Sequence, residues 1–188
     1  MKKITVCIVG DSKTGKTSYL NYLSNINFSL NHDSTVGVDL KTINFSKDNI
    51  FWKVYDTSGN PNLRTITRQY LKLKDVYLLF FDLNDEISFK SVSYWMELIK
   101  DYSEIILVGN KSDLDRKVSN NQIFFVTSKY NISYIEISIK NNLNLNDIPK
   151  MINNINFNKK LLSYDSNGYM EFNDDQVRKC FDCKCVIL

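Results

Sequence analysis

Six strand-like segments interleaved with helix-like ones predict an α/β fold: an open, mostly parallel six-stranded sheet with helices on both faces. Three observations carry this expectation. "VYLLFFD" (76–82) and "EIILVGN" (104–110) are continuous apolar runs, the pattern of strands buried on both sides. Between them, Phe89, Val92, Trp95, Met96 and Ile99 recur at helical spacing. Residues 39–45 and 50–55, joined by "SKDN", read as a pair of strands around a turn.

The remaining elements follow in order. Residues 4–9 form a buried first strand that stops at Gly10, and 16–24 has helical spacing through Leu20 and Leu23. Residues 62–73 read as a helix, and 85–102 as a longer one. Ser119 is an expected N-cap for a helix reaching Tyr130, and "SYIEIS" (133–138) is a further strand. Asn146 caps a last helix running to about Asn156, with Pro149 in its first turn, where a missing N–H does no harm. After Phe157 the apolar periodicity fades. The expected organisation is one domain over 1–157 and a flexible tail over 158–188. Open sheets of this kind bind ligands beyond the carboxyl ends of their strands.

Composition narrows the function classes. The chain is 43% hydrophobic and 24% charged, as in a globular protein. Its net charge of +3 is small and its basic residues are dispersed, which argues against nucleic acid as a partner. No run approaches the ~18 apolar residues of a membrane span. The apolar run after Lys2 and Lys3 ends too soon for a signal peptide. Cys7 lies in the first strand, far from Cys180, Cys183 and Cys185. That spread argues for a reducing compartment and makes Cys7 an inert core residue.

The chemistry is concentrated in the loops. "GDSKTGKT" (10–17) follows a strand, opens a helix and fits G-x-x-x-x-G-K-S/T, the P-loop of nucleoside triphosphatases. Gly10, Asp11, Ser12, Lys13, Thr14 and Gly15 form the expected phosphate cradle, with Thr17 and Ser18 at the helix start. Lys16 is placed to reach the β- and γ-phosphates, and the Thr17 hydroxyl to hold Mg²⁺. Asp56 ends the third strand and suits a role at the same metal. In "GNKSD" (109–113), Asn110 and Asp113 flank Lys111 at N-K-x-D spacing. A carboxylate accepts from the N1–H and N2 amino edge of guanine and repels the N1 acceptor of adenine. Asn110 suits N7, and the Lys111 stem covers the ring. Leaving buried polar groups unpaired rejects the wrong base strongly.

"GDSKTGKT", "STVGVD", "DTSG", "RTIT", "FDLNDEISF", "GNKSD" and "EISIK" occur in an order that resembles the Rab branch of the Ras superfamily of small GTPases, over residues 3 to about 156. The resemblance implies a GTP/GDP switch that acts in vesicle-mediated transport with Mg²⁺. It implies that Thr35 in "STVGVD" ligates Mg²⁺ until hydrolysis, that Phe28 stacks on guanine, and that Ser138, Ile139 and Lys140 finish the base pocket. The catalytic set implied is Lys16, the Gly59 N–H that reads the γ-phosphate, and the residue at position 60. Implied partners are an exchange factor, a GTPase-activating protein, effectors, and prenylation and dissociation-inhibitor chaperones. The implied state is a monomer cycling between cytosol and the cytoplasmic face of an intracellular membrane.

The pattern breaks at four places, one of them a connection from Trp95 to Asn110 that is a few residues short. Where D-T-A-G-Q-E is expected, the chain reads Asp56-Thr57-Ser58-Gly59-Asn60-Pro61. Asn60 is one methylene shorter than the Gln that orients the attacking water, and Pro61 biases it toward extended backbone. Misplacement on the order of 1 Å costs about 10²-fold in rate, so slow intrinsic hydrolysis is expected. The alternative is a GTP-bound interaction module with negligible turnover. Second, Lys13 stands where a small residue is frequent and adds charge near the phosphates. Third, the exposed aromatic positions that Rab effectors read fall on Leu40, Tyr55 and Leu71, only one of them aromatic. At the far end, "CVIL" (185–188) fits C-a-a-X with a terminal Leu, so Cys185 is an expected geranylgeranylation site, helped by acylation of Cys180 or Cys183 or by a second prenyl group.

Overall fold

The computed structural model describes residues 2–29, 35–45, 50–71, 74–100, 104–155, 163–164 and 170–171. The chain divides into two compact units, Met1–Asn153 and Asn154–Leu188. In the first, β1 (Lys2–Gly10), β2 (Val38–Phe45), β3 (Ile50–Thr57), β4 (Val76–Asp82), β5 (Glu104–Asn110) and β6 (Ser133–Glu136) form one sheet in the order β2-β3-β1-β4-β5-β6. All neighbours pair parallel except β2 with β3. The expected architecture is therefore the observed one.

Strand period decides what each face buries. Cys7 pairs with Tyr55 on one side and Tyr77 on the other. With Val9, Leu79, Phe81 and Leu107 they share a face. That face packs against Val92, Trp95, Met96 and Ile99 of α4 (Val92–Ile99) and Ile123 of α5 (Asn120–Tyr130). On the opposite face, Phe80 meets Tyr19 of α1 (Lys16–Leu23) at a ring separation of 5.6 Å. Cys7 is fully buried, and loss of solvation pushes its thiol up to about 12, so it stays a protonated core residue.

Local chemistry sets the helix ends. Ser119 and Gln122 form a reciprocal capping box at the start of α5, and Asn131 ends it at φ 50°. The 85–102 segment is two helices rather than the single one expected. The Asp85 side chain caps α3 (Glu86–Lys90), and at Ser91 the backbone flattens to ψ −13° before α4. The i→i−4 bonds Ser91 N–H to Ile87 O and Trp95 N–H to Ser91 O persist at 3.1 Å on either side of the break. The expected 62–73 helix is shorter as well. Pro61–Leu63 is a 3-10 turn, followed by α2 (Arg64–Tyr70).

Leu71 is a correction. Family alignment places it on an exposed patch, yet it is 2% exposed and belongs to the core cluster. Its carbonyl accepts from the buried Tyr77 hydroxyl. Leu40 is exposed as expected, and Tyr55 is partly buried. α6 (Asp147–Asn154) closes the unit's secondary structure, with Ile148 and Ile152 buried. In the second unit, β7 (Ser163–Tyr164) pairs antiparallel with β8 (Met170–Glu171), a ladder that fading periodicity did not announce. Cys180, Cys183 and Cys185 lie outside the described residues, as does Ser34 of "STVGVD". Among the described residues, no helix is long and apolar enough to cross a membrane.

Candidate functional site

The carboxyl ends of β1, β3 and β5 and the loop after β6 meet around one cleft of about 500 Å³, within the range of small-molecule sites. β1 ends at Gly10 and the chain then wraps into the loop before α1. Gly15 sits at φ 102°, and a Cβ there would lie 2.1 Å from the Asn110 side-chain nitrogen, so only glycine fits. Lys13 also takes a left-handed turn, at φ 65°. The Asp11 carbonyl accepts from Lys16 Nζ at 2.6 Å and from Thr14 Oγ1 at 2.9 Å, which closes the loop on itself. Burial lowers the Lys16 pKa to about 8, opposed by the carboxylates of Asp56 and Asp11.

Asp11 splits its two ends between two tasks. Its carbonyl serves the loop, while its carboxylate points away. There Oδ1 accepts from Trp95 Nε1 at 2.9 Å and from Arg64 Nη2 at 3.4 Å.

Three oxygens converge beside Lys16. Thr17 Oγ1 donates to Asp56 Oδ2 at 2.6 Å, the Thr17 and Thr35 hydroxyl oxygens lie 2.9 Å apart, and Thr35 Oγ1 is 3.3 Å from the same carboxylate. Asp56 is fully buried, and its Oδ1 is without a hydrogen-bond partner. Burial pushes its pKa up, against the bond from Thr17 and the charge of Lys16. A buried carboxylate with an unpaired oxygen, next to two hydroxyls, is a hard all-oxygen donor set. Those residues fit Mg²⁺.

At the far side of the loop, Gly59 seats directly on the P-loop. A Cβ there would fall 2.3 Å from Asp11 C and Ser12 N. Ser58 N–H donates to Gly37 O at 2.8 Å, tying this segment to the one that carries Thr35. Asn60 behaves differently. Its backbone is extended, at φ −71° and ψ 125°, as the following proline favours. Its Oδ1 accepts from Asn62 N–H at 3.0 Å, so the amide caps the 3-10 turn. Asn60 is not among the residues that line the cleft.

The base end is cross-braced. Asn110 Nδ2 donates to Thr14 O at 2.9 Å, and its Oδ1 accepts from Ile139 N–H at 3.4 Å. Asn110 thus holds the P-loop to the 138–140 loop, a structural duty that the N7 reading did not include. Ser138 Oγ donates to Asp113 Oδ1 at 2.5 Å and accepts from Asn141 N–H at 3.1 Å. Lys111, at φ 64°, pairs through Nζ with Asp82 Oδ2 at 2.6 Å. Phe28 is 43% exposed and lines the cleft, which removes a core role for it.

Of the predicted residues, Ser12, Lys13, Gly15, Lys16, Thr17 and Ser18 line the cleft from the P-loop side. Phe28, Thr35, Gly59, Asn110, Lys111, Asp113, Ile139 and Lys140 line it from the others. Gly10, Asp11, Thr14, Asp56 and Ser138 stand outside the lining; all but Gly10 hold lining residues in place through the bonds above. Ser29, Thr57, Ser58 and Leu114 also line the cleft and went unpredicted, as did the Asp82 partner of Lys111. Asp82 ends β4, and Asp56 lies one residue before the end of β3; that position at a strand's carboxyl end was the available signal.

The fold and the cleft together define a P-loop GTPase. Comparison with known proteins resolves it further. The model of the Ras family matches residues 5–156. The chain is 35% identical to Ras-related protein Rab-1D of Dictyostelium discoideum, over 76% of this chain and 74% of that one. It is 33% identical to Ras-related protein Rab-3 of Caenorhabditis elegans, over 95% and 88%. It is 31% identical to human Ras-related protein Rab-3A, over 96% and 89%. The chain belongs to the Ras family, as a Rab-like GTPase.

Proposed function

We propose that this chain is a GTP/GDP switch regulating vesicle-mediated transport, that it works with Mg²⁺, and that its intrinsic hydrolysis is slow. The observation that carries the switch is the Thr17–Thr35–Asp56 cluster. Thr35 belongs to a segment remote from the P-loop, yet its hydroxyl joins the metal donors at 2.9 Å and 3.3 Å. Holding Thr35 there orders its segment, and losing the γ-phosphate releases it. Thr17, Thr35 and Asp56 would hold Mg²⁺, which would supply charge neutralisation to the nucleotide phosphates. The chain's own residues do the rest. The P-loop N–H groups cradle phosphate, Lys16 supplies a cation, and the Gly59 N–H reads the γ-phosphate. Asp113 selects guanine, with Ser138 fixing its carboxylate.

Slow turnover is supported by the Asn60 side chain, which is short and already occupied as a cap. Single-turnover hydrolysis of bound GTP tests it. A rate at or above that of a Gln-bearing Rab overturns slow turnover. A second reading, the GTP-bound module with negligible hydrolysis, is favoured by the same Asn60 and Pro61. Nucleotide content after purification separates the two: retained GTP supports the module, and GDP the cycling enzyme.

The proposed cycle runs with an exchange factor, a GTPase-activating protein, effectors, and prenylation and dissociation-inhibitor chaperones, at the cytoplasmic face of an intracellular membrane. The Cys-Val-Ile-Leu pattern at 185–188 supports attachment through Cys185, with Cys183 as helper. Detergent partitioning of Cys185→Ser, unchanged from the parent chain, would remove the anchor from this reading.

A further inference from the structure

The P-loop carries two lysines, and they are placed differently. Lys16 is buried with its ammonium bound to the Asp11 carbonyl. Lys13 is exposed and lines the cleft, and among the described residues it has no ion pair and no side-chain hydrogen bond. The one carboxylate inside the loop that could neutralise it is Asp11, two positions away. That carboxylate is held off by Trp95 Nε1 and Arg64 Nη2, with the Arg64 guanidinium stacked 4.0 Å from the Tyr94 ring centroid.

The position of Lys13 along the cleft is also fixed. Gly59, the γ-phosphate sensor, presses on Asp11 and Ser12. Asn110, at the base end, is bonded to Thr14. Lys13 lies between those contacts, directly after the Ser12 that Gly59 meets and directly before the Thr14 that Asn110 holds. Its left-handed backbone, φ 65°, is a conformation that non-glycine side chains adopt at a cost, so the position is occupied by a cation where the local geometry favours glycine or asparagine.

We propose that Lys13 is a second phosphate cation, carried in cis, that pairs with the terminal phosphates of bound guanine nucleotide and slows its release, the triphosphate more than the diphosphate. The inference rests on the cleft being a guanine-nucleotide site. The ordering between nucleotides follows from charge, since a triphosphate places more negative charge at this end of the loop. The effect stays modest because the ammonium is solvated and screened.

The experiment measures release from the full chain in excess Mg²⁺, loaded in turn with GDP and with a non-hydrolysable imido analogue of GTP. Lys13→Asn removes the charge and suits the left-handed backbone, and Lys13→Arg restores charge. Lys13→Asn is expected to release the triphosphate analogue about fivefold faster than the parent, and GDP by a smaller factor. The gap narrows between about 50 mM and about 500 mM salt, and Lys13→Arg retains slow release. Equal release from parent and Lys13→Asn overturns the proposal. So does an acceleration that ignores salt and is shared by Lys13→Arg, which marks a backbone effect. A parent chain that binds neither guanine nucleotide overturns the reading of the cleft itself, a result distinct from both.

Discussion

The two ends of the cleft are built by different kinds of contact. At the base end, side chains reach across the sequence: Asn110 to Thr14 over 96 positions, and Ser138 to Asp113 over 25. At the turnover end, the Asn60 side chain bonds two positions away, within its own turn. A long-range brace is hard to alter singly, because a change leaves a buried polar group unpaired. A local cap is easily exchanged. Guanine binding and hydrolysis are thus mechanically separable here, and the chain matches its family at one end while departing at the other.

The largest test strikes the braced end. Asp113→Ala removes the carboxylate proposed to select guanine and leaves the Ser138 hydroxyl proton without its acceptor. Guanine-nucleotide affinity is expected to fall by on the order of 10²–10³-fold, with preference over adenine nucleotides lost. Equilibrium competition between GTP and ATP reads this directly. Retained selectivity would break the comparison, because the base end would then be no more than a wall.

The next test repairs the local end. Asn60→Gln with Pro61→Glu restores the longer amide and frees the backbone. Single-turnover hydrolysis is expected to rise roughly 10- to 10²-fold, the scale of an ångström's misplacement. GTP affinity is expected to stay within about twofold, because neither residue lines the cleft. An unchanged rate would mean that Asn60 is not what limits turnover.

The same division governs what was legible in the sequence. The six-stranded, mostly parallel architecture and nearly every element followed from apolar runs and spacing, since burial on two faces leaves an unmistakable pattern in β4 and β5; the strand order β2-β3-β1-β4-β5-β6 did not. The P-loop and the N-K-x-D segment were legible because each is a short motif with fixed spacing, and residues of both line the cleft. The misses share a physical cause. Leu71 was placed by alignment on the surface, but exposure depends on what folds over a position, and here the Tyr77 hydroxyl reaches its carbonyl. The break at Ser91 is a small change in ψ with helical bonds kept on both sides, which leaves no trace in hydrophobic periodicity. The duty of Asn110 as a brace, and of Asp82 as partner to Lys111, are tertiary pairings that spacing does not encode. The Asn60 cap was readable in part, since Asn before Pro-Asn favours a local turn.

The smallest test asks how far the turnover end is local. Asn60 is bonded locally, but Arg64, four residues on, reaches Asp11 at 3.4 Å and stacks 4.0 Å from the Tyr94 ring centroid. The segment between Gly59 and α2 is therefore pinned to the P-loop downstream of the cap. Arg64→Lys keeps the charge but loses the planar stacking surface and the guanidinium's reach. Both partners of the ion pair are partly exposed, which limits its worth. The expected cost is about 0.5–1 kcal/mol, or about 1–4 °C in the thermal midpoint of the nucleotide-bound chain. Differential scanning calorimetry checks it. A loss in that range says the turnover end is anchored by its flank and variable at its centre. No loss says that the Gly59 contact with the P-loop alone holds the segment, and that the separation between the two ends is sharper still.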